Sequence, residues 1–288
     1  MTADFAYSLP DHLKPTLPFM VIVIGQKCNL KCKNCSNFTS LMPQSFYSFE
    51  EQLSDLKRIS WLANVSLLQI QGGEPFLWER LTDFIIEIRK MGFVNRIQIA
   101  TNGTQKLPPA LKALLLKDKL CSVRISPYPG VSDKLGNRLQ SELVESGILV
   151  TKHQFANATG DWSDLGGIDF VELSNEEGIT NFNECVFKQC LTLEDGVFAR
   201  CSRGPTAHQI QLFKPFKGDL FEVRAAYEDE LLFGKAYLDY VFRPRPMRAC
   251  NFCNGTKGAP IVAGEQYKKK EWLVAKENVA ARQYAQAL

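Results

Sequence analysis

The sequence predicts an α/β fold: a partial, open (β/α)6 barrel followed by a small α+β, cysteine-rich auxiliary domain. Three observations carry this expectation. Over residues 1–175, short runs rich in Val and Ile alternate with amphipathic stretches, the mark of parallel βαβ units. About six such units fit that length, whereas a closed eight-unit barrel takes about 250 residues. Beyond residue 175 the alternation stops, and Gly, Asn and Cys punctuate the chain. A flat doubly wound sheet fits the same alternation.

Residues 19–25 read as the first strand. A helix follows over 49–63, with Ser48 as N-cap and acidic residues in its first turn. The second strand, 65–71, ends at Gly72-Gly73, and a helix over 79–91 closes at Gly92. Residues 96–101 form the third strand, stopped by Asn102-Gly103, and 108–117 a helix with prolines at its start. The fourth strand, 122–126, is broken by Pro127 and Pro129; a helix over 132–146 ends at Gly147. Residues 148–155 make the fifth strand and 169–174 the sixth. Further on, 191–193 and 197–199 flank Glu194-Asp195-Gly196, a hairpin signal. A helix is expected near 222–233, and a polar helix from about 264. These signals divide the chain into a core (1–178), an auxiliary domain (179–263) and a C-terminal helix (264–288).

The 34 basic and 31 acidic residues are interspersed and leave a net charge of +3, which gives no case for a nucleic-acid or membrane partner. Lys268-Lys269-Lys270 reads as a solvated helix face. No signal peptide is visible, since Asp4, Asp11 and His12 occupy the N-terminal stretch, and the longest apolar run, 19–24, is too short to span a bilayer. The expected compartment is therefore the cytosol (cytoplasmic), where thiols stay reduced. Nine cysteines, an odd number, argue against a complete disulfide framework. Cys121 stands alone in an apolar stretch and reads as a core residue.

Cys28, Cys32 and Cys35 follow the first strand directly with the spacing Cys-x3-Cys-x2-Cys. Three thiolates on one short loop can hold three irons of a [4Fe–4S] cube and leave the fourth open. An open metal position is where a reactant binds, and the C-terminal end of a barrel strand is where βα-barrel chemistry occurs. The alternative is zinc, with Cys32-x2-Cys35 paired to Cys250-x2-Cys253; it leaves Cys28 idle.

This loop resembles the signature of the radical S-adenosylmethionine (SAM) superfamily. Gln71-Gly72-Gly73-Glu74-Pro75, placed 36 residues beyond the third cysteine, resembles the family's glycine-rich "GGEP" element. The resemblance implies a partial barrel of radical SAM type. Its backbone at Gly72, Gly73, Glu74 and Pro75, and often a Glu side chain, would meet the SAM amino group. It implies that SAM chelates the open iron, that one electron cleaves it to a 5′-deoxyadenosyl radical, and that this radical takes hydrogen from substrate. An external reductant such as flavodoxin or ferredoxin would supply the electron. One departure is Lys33, where the family often has an aromatic residue near the adenine; a backbone contact can serve there.

Strand alternation places Arg124 and Ser126 on one face with Ser122, toward the lumen, and Val123 and Ile125 on the other. Similar family members place polar residues of this region near the SAM carboxylate and ribose, so Asn102, Arg124 and Ser126 join the SAM-binding candidates. On the same alternation Gln69, Gln71, Gln98, His153 and Glu172 are cavity candidates. A lumen this polar favours a polar substrate.

The second cysteine group resembles the twitch half of a SPASM-type auxiliary domain. That resemblance implies an auxiliary [4Fe–4S] cluster on Cys185, Cys201, Cys250 and Cys253, with Cys190 as the rival of Cys185 and zinc as the alternative metal. The implied reaction is hydrogen abstraction from a polar small molecule, such as a sugar or cyclitol. The closest model is alcohol oxidation, with the auxiliary cluster accepting an electron. The alternative is maturation of a ribosomal peptide by crosslinking or epimerisation. Many such enzymes carry an N-terminal peptide-recognition module, and about 18 residues before the first strand leave no room for one.

Overall fold

The computed structural model describes residues 9–152 and 162–287. In chain order the strands and helices are β1 (Thr16–Leu17), β2 (Met20–Val23), α1 (Phe49–Ser60), β3 (Asn64–Gln71), α2 (Leu81–Met91), β4 (Val94–Thr101), α3 (Pro109–Lys117), β5 (Cys121–Ile125), α4 (Asp133–Glu145) and β6 (Val150–Lys152). There follow β7 (Trp162–Ser163), α5 (Asn175–Glu184), β8 (Leu191–Glu194), β9 (Val197–Ala199), α6 (Arg203–Gln209), β10 (Phe221–Glu222), α7 (Glu230–Phe242), β11 (Pro260–Ile261) and α8 (Lys269–Ala287).

The main sheet runs β10-β9-β8-β2-β3-β4-β5-β6, with β1 paired to β3 and a separate β11-β7 ribbon. From β8 to β6 every neighbouring pair is parallel. The fold is therefore a mixed α/β sheet whose six parallel strands form the partial barrel that the alternation implied.

Strands β2 to β5 bury one face under helices. Ile22, Leu68, Ile70, Ile97, Ile99, Val123 and Ile125 share one core with Leu56 and Ile59 of α1 and with Phe84, Ile85 and Ile88 of α2. The register then aligns the other face in rows. Val21, Gln69, Gln98 and Ser122 form one row, and Val23, Gln71, Ala100, Arg124 and Thr151 the next. The helix boundaries follow ordinary capping: Ser48 Oγ accepts from Glu51 N–H at the start of α1, and Gly92 ends α2 in the left-handed region.

Two expected elements differ. Residues 169–174 form no strand; the sixth parallel strand is β8, docked on the far side of β2, because Leu191 and Leu193 complete the same apolar core. Glu172 consequently lies on the surface in an ion pair with Arg248, not in the lumen. The helix expected near 222–233 begins instead at Glu230, where the Asp229 side chain caps it by accepting from Leu232 N–H, while Phe221–Glu222 pairs with β9. The fifth strand is seen as Val150–Lys152; residues 153–155 of that expectation, His153 included, lie outside the described residues. No helix among the described residues is long and apolar enough to cross a membrane.

Candidate active site

β2 and β3 lie side by side, so the loops that leave their C-terminal ends must meet. The first is the cysteine loop. At its entry Gly25 has φ 147°, and a Cβ there would sit 2.5 Å from Phe46 Cα, so a residue without a side chain is needed. Gln26 and Lys27 N–H then donate to Ser45 O at 2.8 and 3.2 Å, and Cys28 N–H donates to Gln44 Oε1 at 3.1 Å. The loop is thus braced against its own return path.

The second is the Gly72-Gly73-Glu74-Pro75 turn. Gly73 N–H donates to Gly25 O at 3.0 Å, and Glu74 N–H to Lys27 O at 2.8 Å. A Cβ on Gly73 would fall 2.1 Å from Lys27 O and 2.8 Å from Cys28 Cβ. The turn therefore rests directly on the cysteine loop, and the glycine permits the approach.

Cys28, Cys32 and Cys35 are brought together. Burial pushes the Cys28 and Cys32 thiols up to about 12, and Cys35 adds to both. Such thiols ionise when a cation offsets the cost, which is the linkage between metal binding and proton release. Among the described residues no three His, Cys, Asp or Glu side chains converge on the position of one metal ion. A cubane takes one thiolate per iron and is wider than an ion, so its ligands need not converge on one point. The donor set fits a [4Fe–4S] cluster.

Glu74 is fully buried, and burial pushes its carboxyl up to about 7. Its Oε1 accepts from Phe76 N–H and Thr101 Oγ at 3.1 and 2.8 Å, and its Oε2 from Asn102 N–H at 2.8 Å. This carboxylate ties the turn to the end of β4. Asn102 Nδ2 donates to Asn29 Oδ1 at 3.1 Å and lies 4.0 Å from Cys28 Sγ. Ser126, also buried, donates its N–H to Thr101 O at 2.9 Å. The rims of β2, β3, β4 and β5 are thereby joined around the cysteine loop.

Arg124 faces the lumen. Burial lowers the affinity of its guanidinium for its proton, and its Nε has no hydrogen-bond partner within the protein. A half-buried cation whose buried Nε is an orphaned donor fits a carboxylate-bearing ligand such as SAM. Gln69 Nε2 donates to Gln71 Oε1 at 2.7 Å, and Gln98 Nε2 to Thr151 Oγ1 at 3.3 Å, so the lumen row is polar.

Three residues here escaped the sequence reading. Tyr128, just past β5, has its phenol pushed well up by burial and by Cys32, Cys35 and Cys28; its position on the C-terminal rim was the available signal. Glu194, on β8, is fully buried and pushed up to about 7 by burial. It accepts from Gln26 Nε2 at 2.6 Å and Tyr47 OH at 2.7 Å, while its Oε2 is orphaned. In sequence Glu194 stands out only as the residue that opens the Glu194-Asp195-Gly196 turn. The third is Gln266, beside Cys32. At the opposite, N-terminal end of the sheet a cleft of about 630 Å³ opens beside Lys14, Asn64, Arg89 and Asn95, away from the cysteines.

The second cysteine group is built by α5 and the turn at 248–252. Ser174 and Glu177 form a reciprocal capping box at the start of α5. Asn181 Nδ2 donates to Cys253 O at 2.7 Å and Cys250 O at 3.4 Å. Gly255 N–H donates to Cys253 Sγ at 3.3 Å. Cys201, pushed up to about 12 by burial, also feels Cys250 and Cys253, and both of those feel Cys185. Cys190, pushed up to about 11 by burial, has Cys185 and Arg124 as its charged neighbours.

Comparison with known proteins agrees with this geometry. Residues 22–125 match the family model described as "Radical SAM superfamily". Curated relatives include the GTP 3′,8-cyclase of Aquifex aeolicus, 30% identical over 135 residues, which are 45% of this chain and 42% of that protein. Molybdenum cofactor biosynthesis protein 1 of Bos taurus is 27% identical over 116 residues, 38% of this chain and 18% of that one. The matched part is thus less than half of either relative. Among solved structures, anSMEcpe with bound AdoMet superposes with a TM-score of 0.54 at 12% identity, covering 94% of this chain and 98% of its own, a likeness of fold. The family match lies over the strands that carry the cysteine loop and the Gly-Gly-Glu-Pro turn, so residues 22–125 are similar to the radical SAM superfamily, whose cofactors are a [4Fe–4S] cluster and SAM.

Proposed function

We propose that this chain is an enzyme that reductively cleaves SAM to a 5′-deoxyadenosyl radical and uses it to abstract hydrogen from a polar small molecule, a sugar, cyclitol or related metabolite. One observation carries the reading: the Glu74 N–H···O=C Lys27 bond, which locks the turn after β3 onto the cysteine loop after β2. Cys28, Cys32 and Cys35 hold the cluster, and the backbone of Gly72–Pro75 receives the SAM amino group. Arg124 receives the SAM carboxylate, with Asn102 and Ser126 beside it. Gln69 and Gln98 in one row and Gln71 in the next support a polar substrate.

In this reading a twitch-like auxiliary domain, 179–263, holds a second [4Fe–4S] cluster on Cys185, Cys201, Cys250 and Cys253, and that cluster accepts the electron left after alcohol oxidation. The electrostatic coupling among those thiols supports it, and Cys250 and Cys253 both feel Cys185 while Cys190 is not among their charged neighbours, which favours Cys185 over Cys190. A cytoplasmic flavodoxin or ferredoxin is the fitting reductant. The second reading is peptide modification; anSMEcpe, which shares the fold, is described with a bound peptide.

Anaerobic incubation with SAM and dithionite tests the proposal. The wild type should form 5′-deoxyadenosine and Cys32→Ala should not; equal yields from both would refute it. Deuterium transfer into 5′-deoxyadenosine from labelled sugars or cyclitols, set against labelled peptides, separates the two substrate readings.

A further inference from the structure

The segment before α8 crosses the cysteine loop as a strap. Cys32 and Gln266 form an antiparallel bridge, with Lys33 N–H donating to Glu265 O at 2.8 Å and Tyr267 N–H to Lys31 O at 2.9 Å. Lys33 Nζ lies 2.7 Å from Glu265 and 3.3 Å from Glu271. Trp272 Nε1 donates to Ser40 O at 2.8 Å, and Lys31 Nζ sits 3.7 Å above the Trp272 ring. Gly264, at the start of the strap, has φ 73°, and a Cβ there would fall 2.5 Å from Tyr128 Cβ. The strap is thus pinned on both sides of the second cysteine.

Within it the Gln266 side chain has a fixed orientation. Lys31 N–H donates to Gln266 Oε1 at 2.7 Å, which only the oxygen end of the amide can accept. The NH2 end must then face the other way, toward Gly264 O at 2.6 Å and Cys32 Sγ at 3.2 Å. An amide N–H aimed at a ligating sulfur stabilises the more negative, reduced state of an iron–sulfur cluster and raises its potential.

We propose that Gln266 is a positioning residue for the radical SAM cluster: its N–H···S bond to Cys32, oriented by Lys31, makes that cluster easier to reduce. The inference rests on the cluster assignment to Cys28, Cys32 and Cys35 proposed above. In this arrangement a residue more than 230 positions distant in sequence sets the potential at which SAM cleavage begins.

Gln266→Glu is the informative variant, because it keeps an acceptor for Lys31 N–H but cannot donate to Cys32 when ionised. The measurement is an EPR-monitored redox titration, following the reduced-cluster signal that responds to SAM, with iron and sulfide assays alongside. The expected result is a midpoint potential shifted to more negative values in Gln266→Glu, with iron and sulfide per chain unchanged. Gln266→Ala should shift in the same direction by less. An unchanged potential in a fully loaded variant overturns the proposal while leaving the cluster assignment standing. A wild type with no SAM-responsive signal overturns both. If Gln266→Glu loses iron, Gln266→Ala decides on the same criterion.

Discussion

The Arg203 guanidinium lies 4.3 Å above the Phe38 ring, three residues past Cys35 in one direction and two past Cys201 in the other. It donates to Gly166 O at 2.7 Å and, at 3.5 Å, to Phe252 O, the neighbour of Cys253. Burial lowers its proton affinity, while Cys253, Cys201 and Cys35 all act to restore it. One buried cation therefore serves both cysteine groups. Since net charge near a cluster sets its potential, Arg203→Met should move the midpoints of both proposed clusters, on the first cysteine group and on the second, to more negative values. Arg203→Lys, which keeps the charge but not the planar fork, should move them less. A redox titration resolving the two signals checks this; a shift in neither would remove the electrostatic role.

Gly73→Ala should disrupt cluster loading. Its Cβ would meet Lys27 O at 2.1 Å, and that atom is backbone, so the cysteine loop itself must move. A cost of about 3 kcal/mol is the order expected for such overpacking. Gly92→Ala is the control: its φ of 74° costs about 1 kcal/mol of backbone strain, but a Cβ there meets nothing. Iron per chain should fall in the first and hold in the second.

On the proposed auxiliary assignment, Cys250→Ala/Cys253→Ala should lower the iron content from about eight per chain to about four, as expected for the loss of one of two cubanes. Cys185→Ala should do the same and Cys190→Ala should not, because Cys250 and Cys253 both feel Cys185 and Cys190 is not among their charged neighbours. The reverse ranking of those two single variants would reassign the ligand.

Glu194 gives a pH dependence. Its folded carboxyl is pushed from 4.5 up to about 7 by burial, so the folded state holds a proton that the unfolded state releases. The stability it contributes is present below about pH 4.5 and is lost as pH rises through about 7, by at most roughly 3 kcal/mol. In Glu194→Gln the amide keeps the oxygen that Gln26 and Tyr47 use and places NH2 where Oε2 is orphaned. Its stability should fall less between about pH 5 and pH 7 than that of the wild type, read by anaerobic urea unfolding. Parallel curves would exclude this account. Glu74, also pushed up to about 7, leaves a residual slope in both.

Much of this site could be read from local signals. The cysteine spacing, the Gly-Gly-Glu-Pro turn and the strands before them are local in sequence, and β2 through β5 form within two residues of where the alternation puts them. What was not legible depends on distant pairing. β8 looks like half of an isolated hairpin until Leu191 and Leu193 find the apolar face of β2. The run 169–174 carries strand-like residues but pairs with no strand of the sheet, and Glu172 meets Arg248 at the surface. Glu194 and Gln266 are ordinary polar residues in sequence; 168 and 234 positions separate them from Gln26 and Cys32, and only the tertiary fold gives them buried, chemistry-bearing neighbours.

The most direct test is the EPR spectrum of the anaerobically reduced protein with and without SAM. A cluster held by Cys28, Cys32 and Cys35 with one iron open to the ligand predicts a changed spectrum on addition of SAM, and no such response in Cys32→Ala. A loaded, reduced cluster whose spectrum is identical with and without SAM would contradict it.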